Sequence, residues 1–243
     1  MPESVVLLHG FSGTHRAWDG VIAGLDQERY RPLALDLPGH GQAADALRPI
    51  TFASCVAHVL AQCPESFTLC GYSLGGRVAL HVALAAPERV RRLVLVSCSA
   101  GIEDAAERVS RREADAQLAR ELERVPFDDF IERWRAQPLF ARQSPEVRAL
   151  ASEDQRRNRP DGLAAALRGI GVGEMQPLWG RLGELRMPAA VVVGERDRKY
   201  VALGRRMVEL LADAELVVLD AGHGLQLESP RALAGVLSER LDA

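Results

Sequence analysis

Short apolar runs recur along the chain, and most of them are followed by a longer stretch of mixed polar and apolar residues. A run that is apolar at every position is typical of a strand buried on both faces of a parallel sheet. On this basis we predict six strands: Val5–Leu8, Leu33–Leu37, Phe67–Cys70, Leu93–Ser97, Ala189–Val193 and Leu216–Leu219.

Three of the intervening stretches have the apolar spacing of an amphipathic helix, and they are Leu74–Ala86, Val201–Leu211 and Arg231–Leu241. Parallel strands need a crossover connection, which is usually a helix packed on one face of the sheet. We therefore predict an α/β fold with a six-stranded, all-parallel sheet and helices on both faces. Val5–Leu8 is its first strand by sequence.

The alternation of strands and helices stops once, between residues 101 and 186. Four stretches there have helical spacing: Ala105–Arg124, Phe127–Arg135, Pro145–Arg156 and Leu163–Gly169. A structureless loop of this length would be unusual in a compact domain. We predict that 101–186 is a helical cap inserted into a core of residues 1–100 and 187–243. It would cover the carboxyl edge of the sheet, where open α/β sheets bind ligands.

The sequence Gly71-Tyr72-Ser73-Leu74-Gly75 directly follows the third predicted strand and leads into a predicted helix. The GxSxG pattern is weak evidence by itself, but a strand, a sharp turn and a helix around it form a nucleophile elbow. Glycine is needed at both ends of the pattern, because a side chain there would collide with neighbouring backbone. We predict that Ser73 projects from this turn at the top of the sheet.

A serine hydroxyl is a poor nucleophile and a poor base until a histidine accepts its proton. His223 lies in a Gly-His-Gly segment just past the last predicted strand, where the chain order serine, acid, histidine requires it. The acid should follow the fifth strand, where Glu195 and Asp197 both occur, and the spacing from the preceding glycine favours Asp197. We predict a catalytic triad of Ser73, Asp197 and His223, with Glu195 as the alternative acid.

A second glycine-containing turn, HGFSG at 9–13, follows the first strand. In serine-dependent α/β enzymes the amide after His-Gly and the amide after the nucleophile together bind a developing oxyanion. Here these amides belong to Phe11 and Leu74, which we predict to form an oxyanion hole. The turn DLPGHG at 36–41 is interpreted as structural support for the site.

Composition restricts the partners of the protein. A net charge of −3 over 243 residues gives no reason to expect nucleic acid or an anionic membrane as a partner. The four cysteines lack CxxC spacing, so we interpret them as free thiols in the cytoplasm and expect no metal and no cofactor. Lys199 is the only lysine, which indicates either a GC-rich coding bias or arginines that bind carboxylates.

These motifs resemble those of the 2-succinyl-6-hydroxy-2,4-cyclohexadiene-1-carboxylate (SHCHC) synthase family of α/β-hydrolases. The similarity covers HGFSG at 9–13, DLPGHG at 36–41, YSLGGR at 72–77, Arg111-Arg112, Trp134, QPLF at 137–140, PDGLA at 160–164, GERD at 194–197 and Lys199. HGF, DLPGHG and GxSxG are common among α/β-hydrolases. The arginine after the elbow, the segment from Trp to Pro-Leu-Phe and GERDxK are more specific.

The resemblance implies a lyase of menaquinone biosynthesis that eliminates pyruvate from 2-succinyl-5-enolpyruvyl-6-hydroxy-3-cyclohexene-1-carboxylate. A small substrate with three carboxylates calls for several cations in the pocket. By the same resemblance the substrate-binding residues are Arg77, Arg111, Tyr72 and Trp134. A further cap arginine of the family aligns near Gln155, where this chain departs from the pattern; of the adjacent Arg156, Arg157 and Arg159 we take Arg156 as the third cation. We expect a monomer or a weak homo-oligomer.

Two reactions remain open at this point. In the lyase, Ser73 acts as a base and no acyl-enzyme forms. In a serine hydrolase of small esters or carbon–carbon bonds, Ser73 would be the nucleophile, and the triad fits both reactions. The arginines favour the lyase, since a neutral ester gains little from them. A non-catalytic binding module is disfavoured, because all three triad positions and both elbow glycines are present.

Overall fold

The computed structural model describes residues 2–45 and 48–242, and side chains as far as residue 239. Within these residues six strands form one sheet: β1 (Glu3–Leu8), β2 (Tyr30–Leu35), β3 (Phe67–Tyr72), β4 (Val90–Val96), β5 (Ala189–Gly194) and β6 (Ala214–Leu219). The strand order is β2-β1-β3-β4-β5-β6, and every neighbouring pair is parallel. The predicted six-stranded parallel sheet is confirmed.

The same part of the chain contains ten α-helices: α1 (Asp19–Ile22), α2 (Phe52–Gln62), α3 (Leu74–Ala85), α4 (Ala105–Leu122), α5 (Phe127–Arg135), α6 (Pro145–Gln155), α7 (Pro160–Ile170), α8 (Arg198–Leu210), α9 (Leu225–Glu228) and α10 (Pro230–Asp242). Three short 3-10 turns accompany them, at His15–Trp18, Gly41–Ala43 and Trp179–Glu184. The predicted helices following the third and fifth strands and at the end of the chain correspond to α3, α8 and α10.

The second strand is displaced from its predicted position. We expected Leu33–Leu37, whereas β2 covers Tyr30–Leu35. The reason is that Leu37 donates its N–H to Nε2 of His9, 3.0 Å away, and not to a neighbouring strand. The carboxylate of Asp36 meanwhile accepts from the backbone N–H of His15. The apolar run therefore continues past the end of the strand into a turn.

Both faces of the sheet are covered, and β1 shows how. Val6 and Leu8 belong to the apolar cluster shared with α2, α3 and α8, whereas Val5 and Leu7 belong to the cluster shared with α1 and α10. Successive side chains of a strand point to opposite faces, so a continuous apolar run is required. Each fully buried valine or leucine contributes about 1.5–3 kcal/mol relative to exposure.

Helices α4 to α7 lie between β4 and β5 in the chain, and α4, α5 and α7 share a separate apolar cluster. Its buried members are Ala119, Leu122, Phe130, Ile131, Leu163, Ala164 and Leu167. Helix α7 touches the turn after β2 so closely that a Cβ on Gly162 would lie 2.5 Å from the carbonyl oxygen of Gly39. We propose that this segment is the predicted cap.

Two findings concern the surroundings of the protein. Across the described ranges, no helix combines the length and the apolar character that a membrane span requires. Cys55, Cys63, Cys70 and Cys98 are all free thiols.

Candidate active site

The turn between β3 and α3 holds Ser73 in an unusual backbone conformation, with φ 51° and ψ −106°. A non-glycine residue at positive φ is strained by about 1–3 kcal/mol and needs support from its surroundings. A Cβ on Gly71 would lie 2.3 Å from the carbonyl oxygen of Gly75, and one on Gly75 would lie 2.2 Å from that of Leu8. The two glycines therefore allow the close backbone contacts that force Ser73 out of the turn.

The loop after β6 brings His223 to this serine. Its Nε2 lies 3.3 Å from the Oγ of Ser73, and its Nδ1 lies 2.7 Å from Oδ2 of Asp197. Asp197 caps the N-terminus of α8, whereas Glu195 is exposed to solvent. The structure thus places Asp197 beside the histidine, in preference to the alternative acid.

Burial strengthens the electrostatic interactions among Ser73, His223 and Asp197. The side chains of His223 and Asp197 are 2% and 7% exposed, and the ring of Tyr200 lies 4.6 Å from the imidazole. Burial raises the pKa of the Tyr200 phenol, which therefore stays neutral. With Asp197 accepting the proton of Nδ1, the lone pair of Nε2 faces Ser73 and can take its proton.

Ser73 and His223 open into a cavity of about 150 Å³. Phe11 and Leu74 line it as well. Leu74 is the first residue of α3, and the first N–H groups of a helix have no partner within the helix. The predicted oxyanion-hole residues thus lie beside the serine.

Arg77 lies in the same cavity, one helical turn past Ser73. Its Nη1 donates to the carbonyl oxygen of Ile170 at 3.0 Å, at the end of α7. Burial lowers the pKa of its guanidinium to about 10, with Arg111 adding a smaller repulsion. A partly desolvated cation of this kind is a favourable partner for a carboxylate.

Arg111 of α4 also lines the cavity, and its guanidinium is paired with an acidic residue of the same helix. Its Nε donates to Oδ1 of Asp115 at 2.8 Å, one helical turn further on. The Asp115 side chain is 5% exposed, and its Oδ2 has no hydrogen-bond partner in the described protein. One of the three predicted cations is therefore already paired with a buried acid.

Tyr72 and Trp134, which the resemblance implies as substrate-binding residues, both line the cavity. The ring of Tyr72 lies 5.3 Å from that of His223, and burial raises the pKa of its hydroxyl. Trp134 packs edge-on against Phe11 with ring centroids 5.0 Å apart. These aromatic rings form the apolar walls between which a small ligand would lie.

Arg156 is not brought to the cavity. It follows α6 on the surface, where its Nε donates to Asp128 at 2.7 Å and its side chain is 55% exposed. Its neighbour Gln155 points inward and donates to the hydroxyl of Ser12 at 2.7 Å. The helical period puts adjacent residues on different faces, so the polar group that reaches the interior here is an amide and not a guanidinium.

Three residues near the site had not been singled out in the sequence: Tyr200, Asp115 and Glu228. Tyr200 and Asp115 line the cavity, and Glu228 contacts the histidine loop. Asp115 could have been predicted from the sequence, because it lies four residues after Arg111, the spacing of an ion pair within a helix. No sequence pattern predicts Tyr200 or Glu228, since their positions beside the site depend on how separate loops pack.

The turn at 36–41 supports the site, as we interpreted it. Asp36 accepts from the backbone N–H groups of His15 and Gln42, and these bonds help to lower the pKa of its carboxyl. His40 is fully buried, its ring lies 4.9 Å from that of His9, and burial lowers its pKa to about 3. A neutral His40 is thus built into the wall behind Phe11.

Among the described residues, no group of three or more His, Cys, Asp or Glu side chains is placed to hold a metal ion.

Comparison with known proteins agrees with this geometry. Residues 5–236 match the model of the alpha/beta hydrolase family. The chain is 32% identical to the putative 2-succinyl-6-hydroxy-2,4-cyclohexadiene-1-carboxylate synthase of Bacillus subtilis, over 98% of this chain and 90% of that protein. It is 34% identical to the synthase of the same name from an Enterobacter species, over 98% of this chain and 91% of that protein.

A solved structure, that of MenH from S. aureus, superposes with a TM-score of 0.93 at 29% identity, and the match covers 99% of this chain and 93% of that one. The similarity therefore extends over the sheet and the inserted helices together. The chain belongs to the alpha/beta hydrolase family and, within it, to the family of 2-succinyl-6-hydroxy-2,4-cyclohexadiene-1-carboxylate synthases.

Proposed function

We propose that this protein is a carbon–oxygen lyase. It would eliminate pyruvate from 2-succinyl-5-enolpyruvyl-6-hydroxy-3-cyclohexene-1-carboxylate and release 2-succinyl-6-hydroxy-2,4-cyclohexadiene-1-carboxylate, in menaquinone biosynthesis. The observation that carries the proposal is one cavity that holds both the Ser73–His223 pair and the guanidinium groups of Arg77 and Arg111. The names of the relatives support it, since they state the same product.

The reaction needs a base and a place for negative charge. Removal of the ring proton beside the succinyl ketone gives an enolate, and the ring double bond then shifts toward the carbon that carries the enolpyruvyl oxygen. The bond from that carbon to oxygen breaks, the second double bond of the diene forms, and pyruvate leaves. No covalent bond to the enzyme is required.

In this reaction Ser73 acts as the base. Its proton passes to Nε2 of His223 as its Oγ takes the ring proton, and Asp197 stabilises the imidazolium that forms. The imidazolium then returns a proton to the departing pyruvate. The amides of Phe11 and Leu74 hold the enolate oxygen, and each such donor stabilises a transition state by about 3 kcal/mol.

The substrate is a small polyanion with three carboxylates, and the arginines of the cavity select it. Arg77 and Arg111 bind two of the carboxylates, with Tyr72 and Trp134 packed against the ring. Since Arg156 lies on the surface, we propose a neutral donor for the third carboxylate, and Gln137, which lines the cavity, is the candidate. Hydrogen bonds of this charged type are worth about 1.5–3 kcal/mol each.

Helices α4 to α7 act as a cap in this proposal, because they supply Arg111 and Trp134 to a cavity whose serine lies in the turn after β3. We further propose that the protein works in the cytoplasm, where its four free thiols stay reduced.

Parallel assays test the function. Purified protein is incubated with the enolpyruvyl substrate and, separately, with p-nitrophenyl acetate, while pyruvate and nitrophenol are followed. We expect pyruvate release that far exceeds ester hydrolysis and that falls by about 10³-fold or more in Ser73→Ala. The matched control Ser152→Ala, in α6, should keep full activity.

The alternative is a serine hydrolase of small esters or carbon–carbon bonds, in which Ser73 is the nucleophile. Rapid release of nitrophenol with no pyruvate would favour it and would contradict the lyase. Pyruvate release that survives in Ser73→Ala would contradict the assignment of Ser73 as the base.

A further inference from the structure

The loop that carries His223 is held by a carboxylate that the proposed triad does not include. Glu228 ends α9, and its side chain is only 7% exposed. Its Oε2 accepts from the N–H of Gly222 at 2.6 Å, and its Oε1 accepts from the N–H of Gly224 at 3.1 Å. One side chain therefore fixes the backbone on both sides of the histidine.

The same contact explains the two glycines beside His223. A Cβ on Gly222 would lie 3.0 Å from each oxygen of Glu228, and a Cβ on Gly224 would lie 2.7 Å from Nε2 of Gln143. Larger residues at these positions would push the carboxylate or the amide away from the loop. The two glycines of the Gly-His-Gly segment thus leave room for the side chains of Glu228 and Gln143.

Glu228 also reaches the loop that carries Asp197. Its Oε2 accepts from Nη2 of Arg196, 3.2 Å away, and the N–H of Arg196 donates to the carbonyl oxygen of Ala221 at 3.0 Å. The two loops approach so closely that a Cβ on Gly194 would lie 2.0 Å from the carbonyl oxygen of Gly222. The carboxylate therefore joins the acid loop to the histidine loop.

All four groups bonded to Glu228 are donors. The fourth is Nε2 of Gln143, which donates to Oε1 of Glu228 at 3.0 Å, while the amide oxygen of Gln143 accepts a hydrogen bond from Nη2 of Arg135. A carboxylate can accept hydrogen bonds on both oxygens. An amide can accept only on its one oxygen, because its NH₂ group is a donor and cannot bond to another donor. Glutamine at 228 would keep the size of the side chain and lose two of the four bonds.

We propose that Glu228 is a positioning residue of the active site. It acts through His223, by holding the imidazole at the distances from Ser73 and Asp197 on which proton transfer depends. A displacement of about 1 Å in such a group is enough to cost roughly 10²-fold in rate. The inference rests on the proposed triad and adds Glu228 as a residue that positions it.

The test compares Glu228→Gln and Glu228→Asp with the matched control Glu3→Gln. Glu3 is also a largely buried carboxylate, 16% exposed, that accepts from Thr68 and contacts Arg92 at the opposite end of β1. For folded Glu228→Gln we expect kcat for pyruvate release to fall about 100-fold, with KM within about twofold of the wild-type value. Glu228→Asp, which remains an acceptor on both oxygens, should recover part of kcat.

Two readouts do not depend on the identity of the substrate. The rate at which a fluorophosphonate labels Ser73 should fall in parallel with kcat in Glu228→Gln. The low-field proton resonance of Nδ1–H, assigned by its absence in His223→Ala, should shift or broaden in Glu228→Gln and stay unchanged in Glu3→Gln.

The proposal is overturned if Glu228→Gln keeps the wild-type kcat, labelling rate and resonance, or if its loss of activity equals its loss of folded protein. A wild-type protein that releases no pyruvate, but whose labelling and resonance respond to Glu228→Gln, would contradict the lyase and leave the positioning role supported. A wild-type protein that neither releases pyruvate nor reacts with the fluorophosphonate at Ser73 would contradict both.

Discussion

Nη1 of Arg77 donates to the carbonyl oxygen of Ile170 at 3.0 Å, and this bond joins the helix after Ser73 to the last helix of the inserted segment. It fixes the guanidinium inside the cavity without neutralising it, because a carbonyl carries no net charge. Burial meanwhile disfavours the charged form, as the lowered pKa of about 10 indicates. A carboxylate bound there would compensate the lost hydration.

The first prediction concerns this cation. Arg77→Met keeps an apolar stem of similar shape and removes the charge, so KM for the enolpyruvyl substrate should rise about 10- to 100-fold. Steady-state kinetics of pyruvate release measure it. The control is Arg181→Met, because Arg181 is exposed and paired with Glu184, and its KM should stay at the wild-type value. An unchanged KM in folded Arg77→Met would contradict the role of Arg77.

The second prediction concerns the acid inside the cavity. Asp115 repels a polyanion, but its Oδ1 also holds Arg111 in place. In Asp115→Asn the side-chain oxygen still accepts from Arg111 while the charge is lost. We therefore expect KM to fall about three- to tenfold at low salt, with less change at high salt. A KM that rises would indicate that the charge of Asp115 is needed to orient Arg111.

The third prediction tests the tight elbow through two glycine substitutions. In Gly75→Ala the new Cβ would meet the carbonyl oxygen of Leu8 at 2.2 Å, so we expect a loss of more than about 3 kcal/mol in the free energy of unfolding. Gly235 lies in α10, and a Cβ there meets nothing within 4 Å. Gly235→Ala should stabilise the protein by about 0.5–1 kcal/mol, since alanine favours helix. Urea unfolding measures both, and equal effects would contradict the argument.

The fourth prediction follows from the buried, neutral His40. Its pKa is about 3 in the folded protein and 6.5 in an ordinary environment, so below pH 6.5 the unfolded chain binds a proton that the folded chain does not. Stability from this group is complete above pH 6.5 and is lost as the pH falls toward 3. Between pH 6.5 and pH 4 the loss is on the order of 3 kcal/mol.

Urea unfolding at several pH values measures this loss. The difference between wild type and His40→Gln isolates it, because Asp36 and His9 titrate in both proteins. A difference that does not change between pH 7 and pH 4 would contradict the prediction.

Much of the fold could be predicted because the signals are local. A strand buried on both faces must be apolar throughout, and the six runs predicted the number of strands and their parallel arrangement, but not their order in the sheet. The errors lie at strand ends: the apolar run continues to Leu37, but its N–H bonds to His9, so β2 stops at Leu35. That choice depends on a side chain distant in sequence, and no local pattern contains it.

The candidate site likewise has one part that the local sequence predicts and another that depends on tertiary packing. Sequence alone determined Ser73 and its glycines, because the elbow is a steric requirement within five residues, and it ordered Asp197 and His223 after it. Tertiary structure decided what surrounds them. It placed Arg156 on the surface and Gln155 inside, paired Arg111 with Asp115, and put Glu228 under the histidine loop. Hydrogen bonds between loops depend on distances that only the packed sheet sets, so the chain order predicted the proposed triad but not the side chains that surround it.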